Sequence, residues 1–136
     1  FEHELAHLID VARKNGARDD VAVRDELADS YARLQVMRYN GLRMLTNLVQ
    51  RGSLGPEASV GKLFWTTWHR DFGETAMKVL GTDALQILDD RNGTYDLDEL
   101  HQTFMASRAE TIYAGSSEIQ RNIIGERVLG LPREPR

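Results

Sequence analysis

The run Gly115-Ser-Ser-Glu118 joins a flexible turn to the start of an amphipathic stretch, and its residue types suit the capture of an anion or a hydrogen-bonding cofactor. Gly115 permits close backbone approach, Ser116 can serve as an N-cap, and the first N–H groups of a helix have no partners inside it. The preceding residue, Ala114, brings no functional group. A second pattern, His3-Glu-Leu-Ala-His7, has the H-E-x-x-H spacing in which two imidazoles on one helical face bind zinc and the glutamate activates the bound water. Glu26, nineteen residues after His7, offers a third ligand. The motif fixes only three positions, and the edge strand that a zinc peptidase places ahead of it is not among these residues. A solvated helix face is therefore the preferred reading, with a zinc hydrolase built on His3, Glu4 and His7 as the alternative.

Other reactive side chains lack companions. His69 and His101 have no nearby serine or aspartate in a triad arrangement, so each reads as a surface or hydrogen-bonded histidine. Trp65, Trp68 and Phe72 recur at helical spacing, as core aromatics do. Glu110 and Glu118 bracket the turn, and helix-end placement accounts for both. Arg121, Arg127, Arg133 and Arg136 make the tail basic, which reads as a solvated surface before it reads as a site for phosphates.

The elements that position these residues are helical. Leu5, Ile9 and Val11 mark a short helix stopped by Gly16, with Asp19 or Asp20 available to cap the next. From about Val21 to Arg51, Val23, Leu27, Tyr31, Leu34, Met37, Leu42, Leu45 and Leu48 keep close to the helical period. Gly52-Ser-Leu-Gly-Pro56 is turn chemistry with proline at a first helical position. Val60, Phe64, Trp68, Phe72, Ala76 and Val79 then define a second long helix ending at Gly81 and packed antiparallel to the first. Asp89-Asp-Arg-Asn-Gly-Thr94 reads as an exposed loop. Leu97, Leu100, Phe104 and Ile112 predict a shorter helix ending near Tyr113, and Ser116 to Leu129 the last, closed by Gly130. No alternating strand pattern is present. The expected fold is all-α, an up-and-down four-helix bundle with a short additional helical segment, and residues 1–136 form a single domain.

Composition sets the partner classes. At 136 residues, with 41% hydrophobic residues and no long apolar run, the chain reads as one soluble globular domain. Its net charge of -4 gives no general attraction to nucleic acid or anionic membrane. The absence of cysteine suits a reducing cytoplasm. Because helical pattern begins at once with Phe1, upstream domains are expected outside these residues.

The segment Ser107 to Arg133, which contains Tyr113-Ala-Gly-Ser-Ser-Glu-Ile-Gln-Arg-Asn-Ile-Ile-Gly125, strongly resembles the C-terminal signature of the acyl-CoA dehydrogenase family. The likeness extends through Gly55-Pro-Glu-Ala-Ser-Val-Gly-Lys-Leu-Phe-Trp65 and the order of helices, so it covers essentially the whole chain and is similar above all to actinobacterial members. It implies the family's C-terminal helical domain, FAD as cofactor, an acyl-CoA oxidised to the trans-2-enoyl-CoA, an electron-transfer flavoprotein as acceptor, and a homo-oligomer or a heteromer with a related subunit.

Residue by residue, the resemblance puts Ser116, Ser117 and Glu118 against FAD and Gly115 beside the substrate thioester. Arg13 falls where the family often has an arginine reaching the FAD pyrophosphate of a neighbouring subunit, although Asn15-Gly16 replaces the usual aromatic-glycine pair. In Lys78-Val-Leu-Gly81-Thr-Asp-Ala84, Gly81 alone remains of a glycine cluster that lies on the cofactor in relatives. Many relatives carry the α-proton-removing glutamate between the tyrosine and glycine of the signature, where this chain has Ala114; a methyl group cannot act as a base. Three explanations follow, in order of preference: a base on a helix upstream of Phe1, a non-catalytic subunit or oligomerisation module of a heteromeric dehydrogenase, or a protein that keeps the fold for binding alone. No catalytic residue is therefore expected within this chain.

Overall fold

Asp20 stops one helix turn and starts the longest helix, its carboxylate accepting from Ala22 N at 2.8 Å. This computed structural model describes residues 1–55, 57–85 and 97–133. The helices are α1 (Glu2–Lys14), α2 (Val21–Arg51), α3 (Glu57–Leu80), α4 (Glu99–Glu110) and α5 (Ser117–Ile123). Tight 3₁₀ turns at Ala17–Asp19 and Gly81–Leu85 follow α1 and α3, and α5 widens into a π turn over Ile124–Val128. The all-helical bundle expected from periodicity is what forms. The expected Asp89 to Thr94 loop, Pro56 and Arg136 lie outside the described residues.

Helix α3 is the hub. Trp68 and Phe72 are fully buried, and the Trp68 indole donates to Ser30 O on α2 at 3.0 Å. Glu26 takes Lys78 at 2.5 Å and the Thr75 hydroxyl at 3.0 Å, while Gly61 lies beside Met44. These pairs run in opposite senses along the two helices, so α2 and α3 are antiparallel as expected. Asn15 donates to Val79 O at 2.7 Å, which seats the end of α1 at the end of α3. On the other side, Arg108 meets Glu74 and Ser107 lies over Gly73.

Burial departs from the sequence pattern along α2. Val23, Leu27 and Leu34 enter the core, but Tyr31, Tyr39, Leu42, Leu45 and Leu48 of the same helix are exposed. Periodicity predicts the helix correctly and cannot say whether a partner covers its far half.

A polar knot ties α1, α3 and α4. His69 is 4% exposed; its Nδ1 lies 2.5 Å from Glu110 Oε2, and its Nε2 stands 3.4 Å from Glu4 Oε1, within ion-pair reach but outside hydrogen-bond geometry. Burial works against a charged imidazole, yet the Glu4 and Glu110 carboxylates outweigh it and raise the His69 pKa. The same imidazole holds Glu4 below the usual carboxylate range.

Two measurements test this packing. A Cβ at Gly73 would stand 3.1 Å from both Phe104 Cα and Ser107 Oγ, whereas one at Gly41 meets nothing within 4 Å. Gly73→Val should therefore cost about 1–3 kcal/mol by forcing α3 from α4, and Gly41→Ala should gain about 0.5–1 kcal/mol, giving melting shifts of opposite sign. For the knot, a raised folded pKa means that the stability from His69 is fully present below the unfolded value of about 6.5. It is lost as pH rises through the higher folded value. Melts of the parent and His69→Gln from pH 5 to 9 should converge toward alkaline pH; a difference independent of pH would refute a charged imidazole.

Candidate functional site

The turn between α4 and α5 is built by two helix ends and two donors. Asp98 caps α4, accepting from His101 N at 2.9 Å, and the His101 ring bridges Asp98 at 2.8 Å and Ala84 O at 3.0 Å. The Asp98 carboxylate raises the His101 pKa. Helix α4 ends at Glu110, and the N–H groups of Ile112 and Tyr113 both reach back to Ala109 O. The chain then enters left-handed backbone twice, at Ala114 (φ 54°) and Gly115 (φ 96°). Among the described residues Ala114 is the only non-glycine with positive φ. Such a conformation costs an alanine about 1–2 kcal/mol.

Two side chains hold that backbone from the protein side. Lys62 Nζ donates to Gly115 O at 2.7 Å and to Glu110 O at 3.2 Å. Gln120, buried on α5, donates from Nε2 to Ala114 O at 2.9 Å. Neither residue stood out in the sequence, because each contacts main chain, whose carbonyl directions no motif records. Their one sequence signal is position: Lys62 lies within the Gly55 to Trp65 stretch and Gln120 within the signature helix.

Ser116 occupies the N-cap position of α5, but its hydroxyl does not accept from the helix. It turns instead to Glu118. The Glu118 carboxyl is held below the usual range by its own main-chain N–H and by that hydroxyl. The helix start is thus already served by a carboxylate. Ser117 and Gly115 are half-buried, while Ile112, Tyr113 and Ile119 form an exposed apolar rim. Beside the turn, Lys62 also lines a cleft of about 880 Å³ whose walls include Leu34, Met37, Met44, Phe64 and Trp65.

Arg13 and Gly81 are elsewhere. Arg13 is exposed in the last turn of α1 and Gly81 (φ 59°) ends α3, close to the Asn15 contact with Val79. Lys62 and Val79 are seventeen residues apart on α3, about 25 Å at the helical rise. The candidate cofactor residues therefore fall into two groups at opposite ends of one helix.

The zinc arrangement does not form. His3 is exposed and pairs with Glu99 at 3.3 Å, Glu4 turns inward to His69, and Glu26 is engaged by Lys78 and Thr75. Among the described residues no three His, Asp or Glu side chains converge as metal ligands. Nor is any described helix long and apolar enough to cross a membrane. Arg121 pairs with Glu118 and Arg133 with Glu126, so part of the basic tail is already neutralised.

The family model described as acyl-CoA dehydrogenase, C-terminal domain, matches residues 2–129. Acyl-CoA dehydrogenase IpdE1 of Mycolicibacterium smegmatis is 44% identical over 134 residues, covering 98% of this chain and 32% of its own length. The protein of the same name from Mycobacterium tuberculosis is 40% identical over 136 residues, 98% of this chain and 33% of its own. The chain thus spans about a third of the length of these curated relatives. Among solved structures, the Tcur3481-Tcur3483 steroid ACAD aligns with a TM-score of 0.78 at 28% identity, over 96% of this chain and 34% of that one. The ChsE4-ChsE5 complex from Mycobacterium tuberculosis aligns at 0.73 and 25%, over 96% and 36%. Proteins of this family generally bind FAD. Matched in sequence over nearly its whole length and in the course of its helices, the chain belongs to the acyl-CoA dehydrogenase family as its C-terminal helical domain.

Proposed function

We propose that this domain belongs to one subunit of a heteromeric, FAD-dependent acyl-CoA dehydrogenase, in which the carboxylate that removes the α-proton stands outside residues 1–136. Ala114 carries the reading: the signature turn has a strained backbone, and the residue at the family's basic position is a methyl group. The names of the structural neighbours, a paired steroid ACAD and a two-component complex, support a related partner subunit and a bulky polycyclic acyl group as substrate class. The apolar cleft beside the turn has room for such a group. The exposed apolar half of α2 supports assembly, because a face of that extent is seldom left in water.

The residues fit FAD in two parts. Gly115, Ser116 and Ser117 offer main-chain N–H groups and hydroxyls, which suit the hydrogen-bonding, uncharged portion of the cofactor. Glu118 disfavours a phosphate there. A pyrophosphate is better matched by Arg13, near Gly81 at the far end of α3, so the two groups would serve two cofactors across a subunit interface. When bound, FAD supplies the hydride acceptor of the family reaction. The chain's own part is to position: Gly115 stands beside the thioester, and Ser116, Ser117 and Glu118 line the cofactor. An electron-transfer flavoprotein is the proposed acceptor, and the cytoplasm the proposed location.

The decisive experiment expresses the full-length protein alone and with its related partner, then measures bound flavin and the oxidation of steroid-side-chain and short straight-chain acyl-CoA. Activity is expected only from the pair and on the bulky substrate. Full activity of the protein alone would end the heteromeric reading. If Ala114 is retained for its backbone conformation rather than its side chain, Ala114→Gly should stabilise this chain by about 1 kcal/mol in thermal unfolding.

A further inference from the structure

We infer that Lys62 and Gln120 are positioning residues that act as a two-point clamp, locking Ala114 and Gly115 in their left-handed conformations and turning the N–H groups of the signature turn outward. The inference rests on the proposed role of that turn but is carried by different observations. Ala114 O is captured by Gln120 Nε2 at 2.9 Å and Gly115 O by Lys62 Nζ at 2.7 Å. In a trans peptide the C=O and the following N–H point in opposite directions, and no peptide bond here is cis. With both carbonyls drawn toward the clamp, the N–H groups of Gly115 and Ser116 point away from Gln120 and Lys62.

The donors are themselves constrained. Lys62 is half-buried on α3 and spends a second bond on Glu110 O, so one ammonium joins the last residue of α4 to the turn. The Glu110 side chain is in turn fixed by His69. Gln120 packs so closely that a Cβ added at Gly115 would stand 2.9 Å from its Nε2. Glycine at 115 is therefore required twice, by its φ and by the clamp. A lone strained alanine would relax; one whose carbonyl and whose neighbour's carbonyl are both captured by anchored donors is over-determined, the condition under which backbone strain persists.

The test uses Lys62→Met, Gln120→Leu and Lys62→Arg. Amide hydrogen exchange of this chain reads the turn directly. Exchange of the Thr111, Ile112 and Tyr113 amides, which bond to Arg108 O and Ala109 O beside the clamp, should quicken roughly ten- to hundred-fold in the Met and Leu variants, the scale of a lost hydrogen bond to a charged or buried group. Exchange in the Trp68 and Phe72 region should stay unchanged, and Lys62→Arg should restore part of the protection. In the full-length protein with its partner, the same variants should raise KM or weaken flavin retention. Quickened exchange without any flavin or substrate effect would leave the clamp standing and remove the ligand role of the turn. Unchanged exchange in both folded variants would overturn the clamp, whatever the enzyme assay gives. If Lys62→Met fails to fold, the Gln120→Leu and Lys62→Arg pair decides by the same criterion.

Discussion

An imidazole buried between two carboxylates sets the level at which three helices of this domain meet. Taking charges out of water is costly unless each has a partner. His69 on α3 satisfies that requirement only with Glu4 of α1 on one side and Glu110 of α4 on the other. Sliding any of the three helices by one turn, about 5.4 Å, would leave a buried charge alone. The knot therefore specifies register more than it adds stability. The close approach of α4 to α3 at Gly73 then fixes their separation, and the two constraints together place the end of α4, and with it the turn, over Lys62.

The same hub explains why α2 is asymmetric. At 31 residues it is about 46 Å long, and α3 runs along one side of it as far as Met44, which lies beside Gly61, leaving its other side uncovered. Its first half meets Trp68, Asp71, Thr75 and Lys78, and its second half carries a stripe of the same period into solvent. The relatives are about three times as long as this chain. On the proposed reading, the stripe meets surface that lies outside residues 1–136.

Local chemistry made the helices legible in the sequence. Asp20 caps α2, Gly52 ends it, and of the aromatics spaced along α3 Trp68 and Phe72 are buried, while Trp65 is partly exposed and lines the cleft. What the sequence hid are relations between distant positions. Glu4, His69 and Glu110 are 65 and 41 residues apart, and no period links an acid on one helix to an imidazole on the next. The H-E-x-x-H pattern, read by preference as a solvated helix face, hid the inward turn of its glutamate for a related reason. In a helix Glu4 shares its face with Leu8 rather than with His3 and His7, and that face turns to the core. The π turn over Ile124–Val128 was equally unmarked; it closes where Leu129 N reaches back five residues to Ile124 O at 3.1 Å.

The alanine at 114 shows which property of the site this chain retains. A turn whose purpose was only to present a side chain would be free to relax once that side chain was a methyl group, since a right-handed backbone is cheaper by about 1–2 kcal/mol. Here the backbone is left-handed, held from the protein side by Gln120 and Lys62. The direction of the main-chain N–H groups thus depends on the held backbone and not on a side chain at 114. On the proposed reading, this domain supplies binding geometry for a reaction whose proton transfer is performed by another part of the assembly. On that reading an alanine at 114 is compatible with the turn, because its backbone is held by other residues.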